Sequence, residues 1–392
     1  MKKCIVVMFL FVLLPAVAWA QEPSNAELYQ MIKKMERKLD AAIAETNKAK
    51  AEVVKAKEET VKVKEELARI KEITAAAPVA VQTASLVRVP ETKPGPGVSF
   101  EAVYMRPSRS NLDFVIVDSN ADTDPQGTLK DIEPDYNRGG RVGLNYDLGS
   151  GTDIGVKFTR ITSYDTASAV QPSGGRLWGT WLHPDSVIDT DAATSATASY
   201  DFEYSVVDLG VGQWVDIGKR FGLRIEAGLR YAEMDQKLKI TYIDSPLSRR
   251  ADITNKNDFS GWGPRVGLGL DWRAGWGFNI FSSVAGSVLV GNVDLALRED
   301  DTTGSGTTIP GSIADTIHNR VVPVIETRAG IGYAYRLKNG SSFGAKAGYE
   351  WQNWYNMVTA KRFSDDLDDQ NMTTDTTDVG LDGFFLEGFI NF

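Results

Sequence analysis

Two periodicities divide this chain. Between residues 24 and 75 apolar residues return every three and four positions, and from Gly97 to Phe392 they return every second position. The first spacing predicts a helix with one apolar seam, the second a series of β-strands with one apolar face. With position a set at Ile32, a runs through Leu39, Thr46, Val53, Thr60, Leu67 and Thr74, and d through Leu28, Met35, Ala42, Ala49, Ala56, Val63 and Ile70. Position g holds Glu45, Glu52, Glu59 and Glu66, and position e holds Lys50, Lys57, Lys64 and Lys71. In a parallel coiled coil g of one helix faces the next e of its neighbour, so each Glu meets a Lys. A solitary solvated helix held by local Glu–Lys pairs is the competing reading. It gives no reason to keep Leu28, Ile32, Met35, Leu39, Val53, Val63, Leu67 and Ile70 on one seam. The Ala and Thr in the seam leave oligomer number open, with a parallel homotrimer favoured. At 1.5 Å per residue the rod is roughly 70 Å long.

The alternating part predicts ten strands, at 97–106, 138–148, 152–162, 202–216, 221–243, 259–273, 277–290, 321–336, 342–356 and 379–392. Four connections are short, among them Gly149-Ser150-Gly151 and the Asn339-Gly340 turn. Five are long and polar: 107–137, 163–201, 244–258, 291–320 and 357–378. Strict alternation of short and long connections is the asymmetry of outer-membrane barrels, and an even strand count places both barrel ends on the short-turn side. Leu112 to Val117 and Arg176 to Leu182 are apolar enough for an extra hairpin, so twelve strands remain an alternative. The apolar set Phe221, Leu223, Ile225, Ala227, Leu229 and Tyr231 alternates with Arg224, Glu226, Gly228 and Arg230. A soluble sandwich also alternates, but it seldom repeats Arg and Glu opposite so consistently apolar a face. Tyr146, Tyr231, Trp272, Trp276, Tyr333, Tyr335, Tyr349, Trp351 and Trp354 fit aromatic girdles. The expected fold is therefore an all-β transmembrane antiparallel barrel of about ten strands, preceded by an α-helical coiled coil.

The remaining segments set the compartment. Lys2 and Lys3, the apolar run Ile5–Leu14 and Ala18-Trp19-Ala20 read as a secretory signal over residues 1–20. The expected order is signal 1–20, periplasmic coiled coil 21–75, a Pro/Ala-rich linker 76–96, and an outer-membrane barrel 97–392. Cys4, the single cysteine, falls in the signal, which excludes disulfides, zinc thiolates and cysteine catalysis from the mature chain. The net charge of −9 opposes nucleic-acid binding.

Candidate chemistry is sparse. His183 with Asp185, or His318 with Asp315, could be drawn as a rim dyad, but neither has a nucleophile motif nearby, and solvated loop histidines are the simpler reading. Glu299-Asp300-Asp301 and the carboxylates of 365–369 lack Ca²⁺-loop spacing. No catalytic residue, cofactor or metal is expected. The charges on the face opposite the lipid are the informative set: Arg141, Asp147, Lys157, Arg224, Glu226, Arg230, Arg265, Asp271, Arg273, Glu326, Arg328, Lys346, Glu350 and Glu387. Charges in a membrane need water or partners. They either line a narrow water-filled pore or, in a barrel small enough for side chains to fill, pair into a plug.

The last strand ends in Phe392, preceded at alternate positions by Ile390, Gly388, Leu386 and Phe384. Such an ending resembles the signal read by the barrel assembly machinery. Gly228–Leu238, Gly261–Leu268, Trp276–Phe281 with Val284–Ser287, and Gly380–Gly388 together resemble the Legionella-type major outer membrane protein family, a group of pore-forming proteins. The resemblance spans most of 97–392 and implies a porin-like role. The coiled coil is not part of that pattern, and the Legionella cysteines are absent, so disulfide cross-linking to neighbours is not implied. Three functions follow: a porin for passive diffusion of small solutes, a structural anchor whose coiled coil spans the periplasm towards peptidoglycan, and a surface-loop adhesin. Outer-membrane lipid, lipopolysaccharide and the assembly machinery are the expected partners.

Overall fold

The computed structural model describes residues 33, 87–88, 93–120, 126–183, 186–189, 192–363 and 372–392. The chain divides into two units, Met1–Thr83 and Ala84–Phe392. The signal, the coiled-coil seam and most of the linker lie outside the described residues, and every strand belongs to the second unit.

Fourteen strands are described: β1 (Val87–Arg88), β2 (Gly95–Arg109), β3 (Asp113–Asp118), β4 (Thr128–Asp131), β5 (Asn137–Gly149), β6 (Thr152–Val170), β7 (Arg176–Gly179), β8 (Ser195–Ile217), β9 (Phe221–Asp244), β10 (Arg249–Gly275), β11 (Phe278–Thr302), β12 (Thr308–Arg336), β13 (Ser342–Phe363) and β14 (Met372–Asn391). Ten form one antiparallel ring, in the order β8-β6-β5-β2-β14-β13-β12-β11-β10-β9, and β9 pairs back with β8. A closed ring leaves no strand edge, as a sheet crossing lipid requires. The β2–β14 pairing joins the first and last ring strands, with Glu101 opposite Glu387. β1 adds two residues against β8.

The short turns gather at one end with both ends of the ring. Gly149, Ser150 and Gly151 all have positive φ (86°, 52° and 68°), a path that two glycines make accessible. The opposite end differs from the sequence-based expectation. β9 and β10 continue to a tight turn at Ser245–Ser248, and β11 and β12 to another at Thr303–Thr307. The expected loops 244–258 and 291–320 are therefore long hairpins, and much of 163–201 and 357–378 is strand as well. His318, expected in a loop, lies in β12. The two extra apolar segments do not widen the ring to twelve. They form β3 and β7, which pair with each other in a separate three-stranded sheet whose central strand β3 also pairs with β4.

These strand extensions resemble loops in sequence because alternation continues while its sense reverses. In β9 the exposed face reads Phe221, Ile225, Leu229, Tyr231 and then Glu233, Asp235 and Lys239. The buried face reads Arg230 and then Met234, Leu238, Ile240 and Tyr242. The change falls in one register row: Val207 opposes Tyr231, Tyr231 opposes Trp262, Trp262 opposes Val290, and Val290 opposes Val321. From Phe221 to Tyr231 are ten steps of about 3.4 Å, which at a tilt of about 40° rise roughly 26 Å, the height of a lipid-facing band. Beyond that row the barrel is polar outside and mostly apolar inside, with Gln236, Asn255 and Asn257 among the buried residues, like a protein in water. Trp354, expected in a girdle, is fully buried in this apolar interior, edge-on to Tyr204 at 5.7 Å. The other expected girdle residues are exposed, joined by Trp262 at 64%.

Candidate functional site in the barrel lumen

All the charged positions expected to face inward do so, and they occupy two levels. Nearest the short turns, Arg224, Lys346 and Arg273 keep 31%, 35% and 42% of their side chains exposed. Their partners are Asp153 at 2.6 Å, Glu387 at 3.3 Å and Asp216. Glycines opposite make room for them. A side chain at Gly212 would collide with the guanidinium of Arg224. Asp271 belongs to this level, accepting from Asn279, whereas Lys157 opposes Asp208 of the next layer.

One layer further in, the charges are more deeply buried. Arg141 on β5 donates to Thr159 at 2.9 Å and pairs with Glu101 on β2 and, through two bonds of 2.9 Å, with Glu350 on β13. Arg328 on β12 pairs with the same two carboxylates at 2.5 and 3.0 Å, and its guanidinium sits 4.0 Å from the Phe385 ring centre. Beside this quartet, Arg230 on β9 pairs with Asp208 at 2.6 Å and with Glu326 on β12. Glu326 also accepts from Arg265, which pairs with Glu226. Arg141–Glu350 and Arg230–Glu326 each join strands three places apart in the ring, so these pairs run across the lumen. Arg141, Glu101, Glu350, Arg230 and Glu326 are all under 10% exposed. Buried charge on this scale persists only when paired.

Above the layer lies the apolar chamber, closed by the small sheet. Phe114, Val115 and Leu177 are fully buried. The Phe114 carbonyl accepts from Tyr242 on β9, and Asp113 holds Arg362 on β13 through bonds of 2.6 and 2.9 Å. The Trp181 indole donates to the Asp113 carbonyl at 2.7 Å. On a third side, Glu299 and Asp301 of β11 accept the backbone N–H groups of His183 and Val187 at 2.8 and 3.1 Å, and Ser186 adds a bond of 3.1 Å to Asp301. Burial, then the Asp301 charge beside it, pushes the Glu299 carboxyl up to about 7. The small sheet and the residues after β7 are thus tied to three strands of the wall, β9, β13 and β11.

Sequence reasoning misses the clasp made by Asp113, Arg362, Glu299 and Asp301. Its one signal is the apolar stretch 112–117, which periodicity alone cannot place in the fold. The dyad drawn at His318 is not made: Asp315 pairs with Lys361, and His318 Nδ1 faces Asn292 Oδ1 at 3.4 Å. Asp185, the other drawn partner, lies outside the described residues. Among the described residues no cluster of three or more His, Cys, Asp or Glu could hold a metal ion. The terminal positions Phe384, Leu386, Ile390 and Phe392 are 44–60% exposed on the lipid face.

The family model of the Legionella pneumophila major outer membrane protein precursor matches residues 88–392. The chain belongs to this family. Membership covers the whole ring and agrees with a barrel of the bacterial outer membrane. No curated protein sequence matches the chain. Among solved structures, the Escherichia coli outer membrane protease OmpT is 12% identical at a TM-score of 0.38, over 76% of this chain and 97% of that one. The Pseudomonas putida toluene transporter TodX is 10% identical at 0.32, over 76% and 90%. A Pseudomonas aeruginosa FadL homologue is 7% identical at 0.23, over 76% and 90%.

Proposed function

We propose that this family member forms a narrow path for small solutes that is shut in the state described. The carrying observation is the gradation inside the membrane span. The lumen is polar and partly exposed near the periplasmic turns, at Arg224, Arg273 and Lys346, and its charges then close on one another in the Arg141–Glu350 and Arg230–Glu326 layer. Water-accessible charges at one entrance suit ion selection. A layer of paired charges separates from its partners only when solvent or solute replaces them, which suits a gate. A second reading, a structural anchor with a permanently filled lumen, is favoured by the apolar chamber and the small sheet beyond it. In that reading the coiled coil carries the envelope contact, with peptidoglycan as the partner. Neither reading includes an enzymatic step.

Single-channel recording of the full chain in planar bilayers tests both. The gated path requires long closures with brief discrete steps. Replacing 112–131 by a short linker is expected to lengthen the open intervals, and Arg224→Ala or Arg265→Ala to shift ion selectivity. Permanently open steps in the unaltered protein would remove the gate. Silence from folded protein, with and without the small sheet, would leave the anchor.

A further inference from the structure

We propose that the outward faces of β2, β5 and β6 carry a docking site for the phosphate groups of lipid A in the outer leaflet, formed by Arg106, Arg138 and Arg160. All three side chains point out of the barrel and are exposed. Arg106 is the first outward residue beyond Tyr104, and Arg160 the first beyond Phe158, both of them exposed residues of the lipid band. Register places the three on one diagonal. Arg138 opposes Tyr104, two positions from Arg106, and Arg160 opposes Gly140, two positions from Arg138. Diagonal neighbours on adjacent strands stand roughly 7–8 Å apart, so three like charges line up at the level of lipid headgroups, an arrangement that an anion lying against it favours.

Local carboxylates neutralise the row only in part. Arg106 reaches Asp382 at 3.4 Å and lies over the Tyr136 ring at 5.1 Å, and Arg160 pairs with Glu203, with both side chains over 40% exposed. Arg138 has no carboxylate partner among the described residues. A guanidinium that keeps free N–H groups beside a weak surface pair can take a phosphate in fork geometry. The rest of the rim shows why the site belongs to this sector. On β8 to β11, Glu203, Asp235, Asp258 and Asp294 oppose one another in a single row. Lys237 and Lys256 come next outward, behind those carboxylates. Cations there are screened from the headgroups, whereas the arginines border the lipid directly.

The test uses the full folded chain in phosphatidylcholine vesicles carrying either bis-phosphorylated lipid A or the same lipid dephosphorylated. The unaltered protein is expected to bind the phosphorylated lipid at least tenfold more tightly. The triple variant Arg106→Gln, Arg138→Gln, Arg160→Gln should lose that preference, while Lys237→Gln with Lys256→Gln keeps it. The exposed, unpaired Arg138→Gln alone should weaken binding several-fold without altering the fold, which covers a triple variant that fails to assemble. Equal binding of the two lipids, or equal loss in the lysine variant, would overturn the site. So would a triple variant that binds lipid normally but no longer associates with a second barrel, which would assign the arginines to contact between copies.

Discussion

Single side chains in the lumen are governed by the cost of leaving a buried charge alone. Arg141→Met strands Glu101 and Glu350 with Arg328 as their shared cation, and is expected to cost about 3–5 kcal/mol. Arg160→Met breaks a half-exposed pair and should cost under about 1 kcal/mol. Urea unfolding in vesicles, followed by tryptophan fluorescence, compares the two, and similar losses would show that the layer is hydrated. Glu299 yields a pH dependence with a definite sign. Its folded carboxyl titrates at about 7, against an ordinary 4.5. Between those values the folded state keeps a proton that the unfolded chain has lost, so the clasp on 181–189 gains stability as pH falls from 7 and gains no more below 4.5. Above pH 7 the Glu299 and Asp301 charges repel. Proteolysis within 181–189 should therefore be faster at pH 8 than at pH 6, and Glu299→Gln should abolish the difference.

At the scale of elements, neighbouring residues of one strand face different solvents. Lys237 points to water, and Leu238, 1% exposed, points into the apolar chamber. Lys237→Ala should change stability by less than about 0.5 kcal/mol, and Leu238→Ala should cost about 2–5 kcal/mol. Lower in the sheet, Leu268→Arg on the lipid face should cost about 2–4 kcal/mol. Refolding titrations of the three variants check the assignment of faces. Strand number, pairing order and the inward set, from Arg141 to Glu387, were legible because alternation with Arg and Glu opposite Leu and Ile has few other meanings. Strand length was not. A strand whose outward residues are Asp252, Thr254 and Lys256 reads as loop until Ile253 and Phe259 are known to be buried together. The partners of the inward charges were also beyond the sequence, since Arg141 and Glu350 are 209 residues apart and meet only once the ring closes.

For the whole molecule, the coiled coil expected from the sequence and the barrel make separable predictions. Removing 21–90 is expected to abolish oligomers and envelope attachment while leaving the ring folded, and cross-linking in intact cells with sedimentation of the purified barrel reads both. Oligomers that survive truncation would assign association to the barrel instead. The reversal of faces bears on how the chain tolerates change. Across β8, β9 and β10 the row at Val207, Tyr231 and Trp262 is crossed without a register shift, so only residue identity marks the passage from lipid to water. Parity is thus the quantity the strands conserve. One residue inserted between Tyr231 and Glu233 would turn Met234, Leu238 and Tyr242 to the outside and Lys237 and Lys239 to the inside over the whole outer half. Two inserted residues would only lift the hairpin by a step. Length variation in these hairpins should accordingly come in pairs.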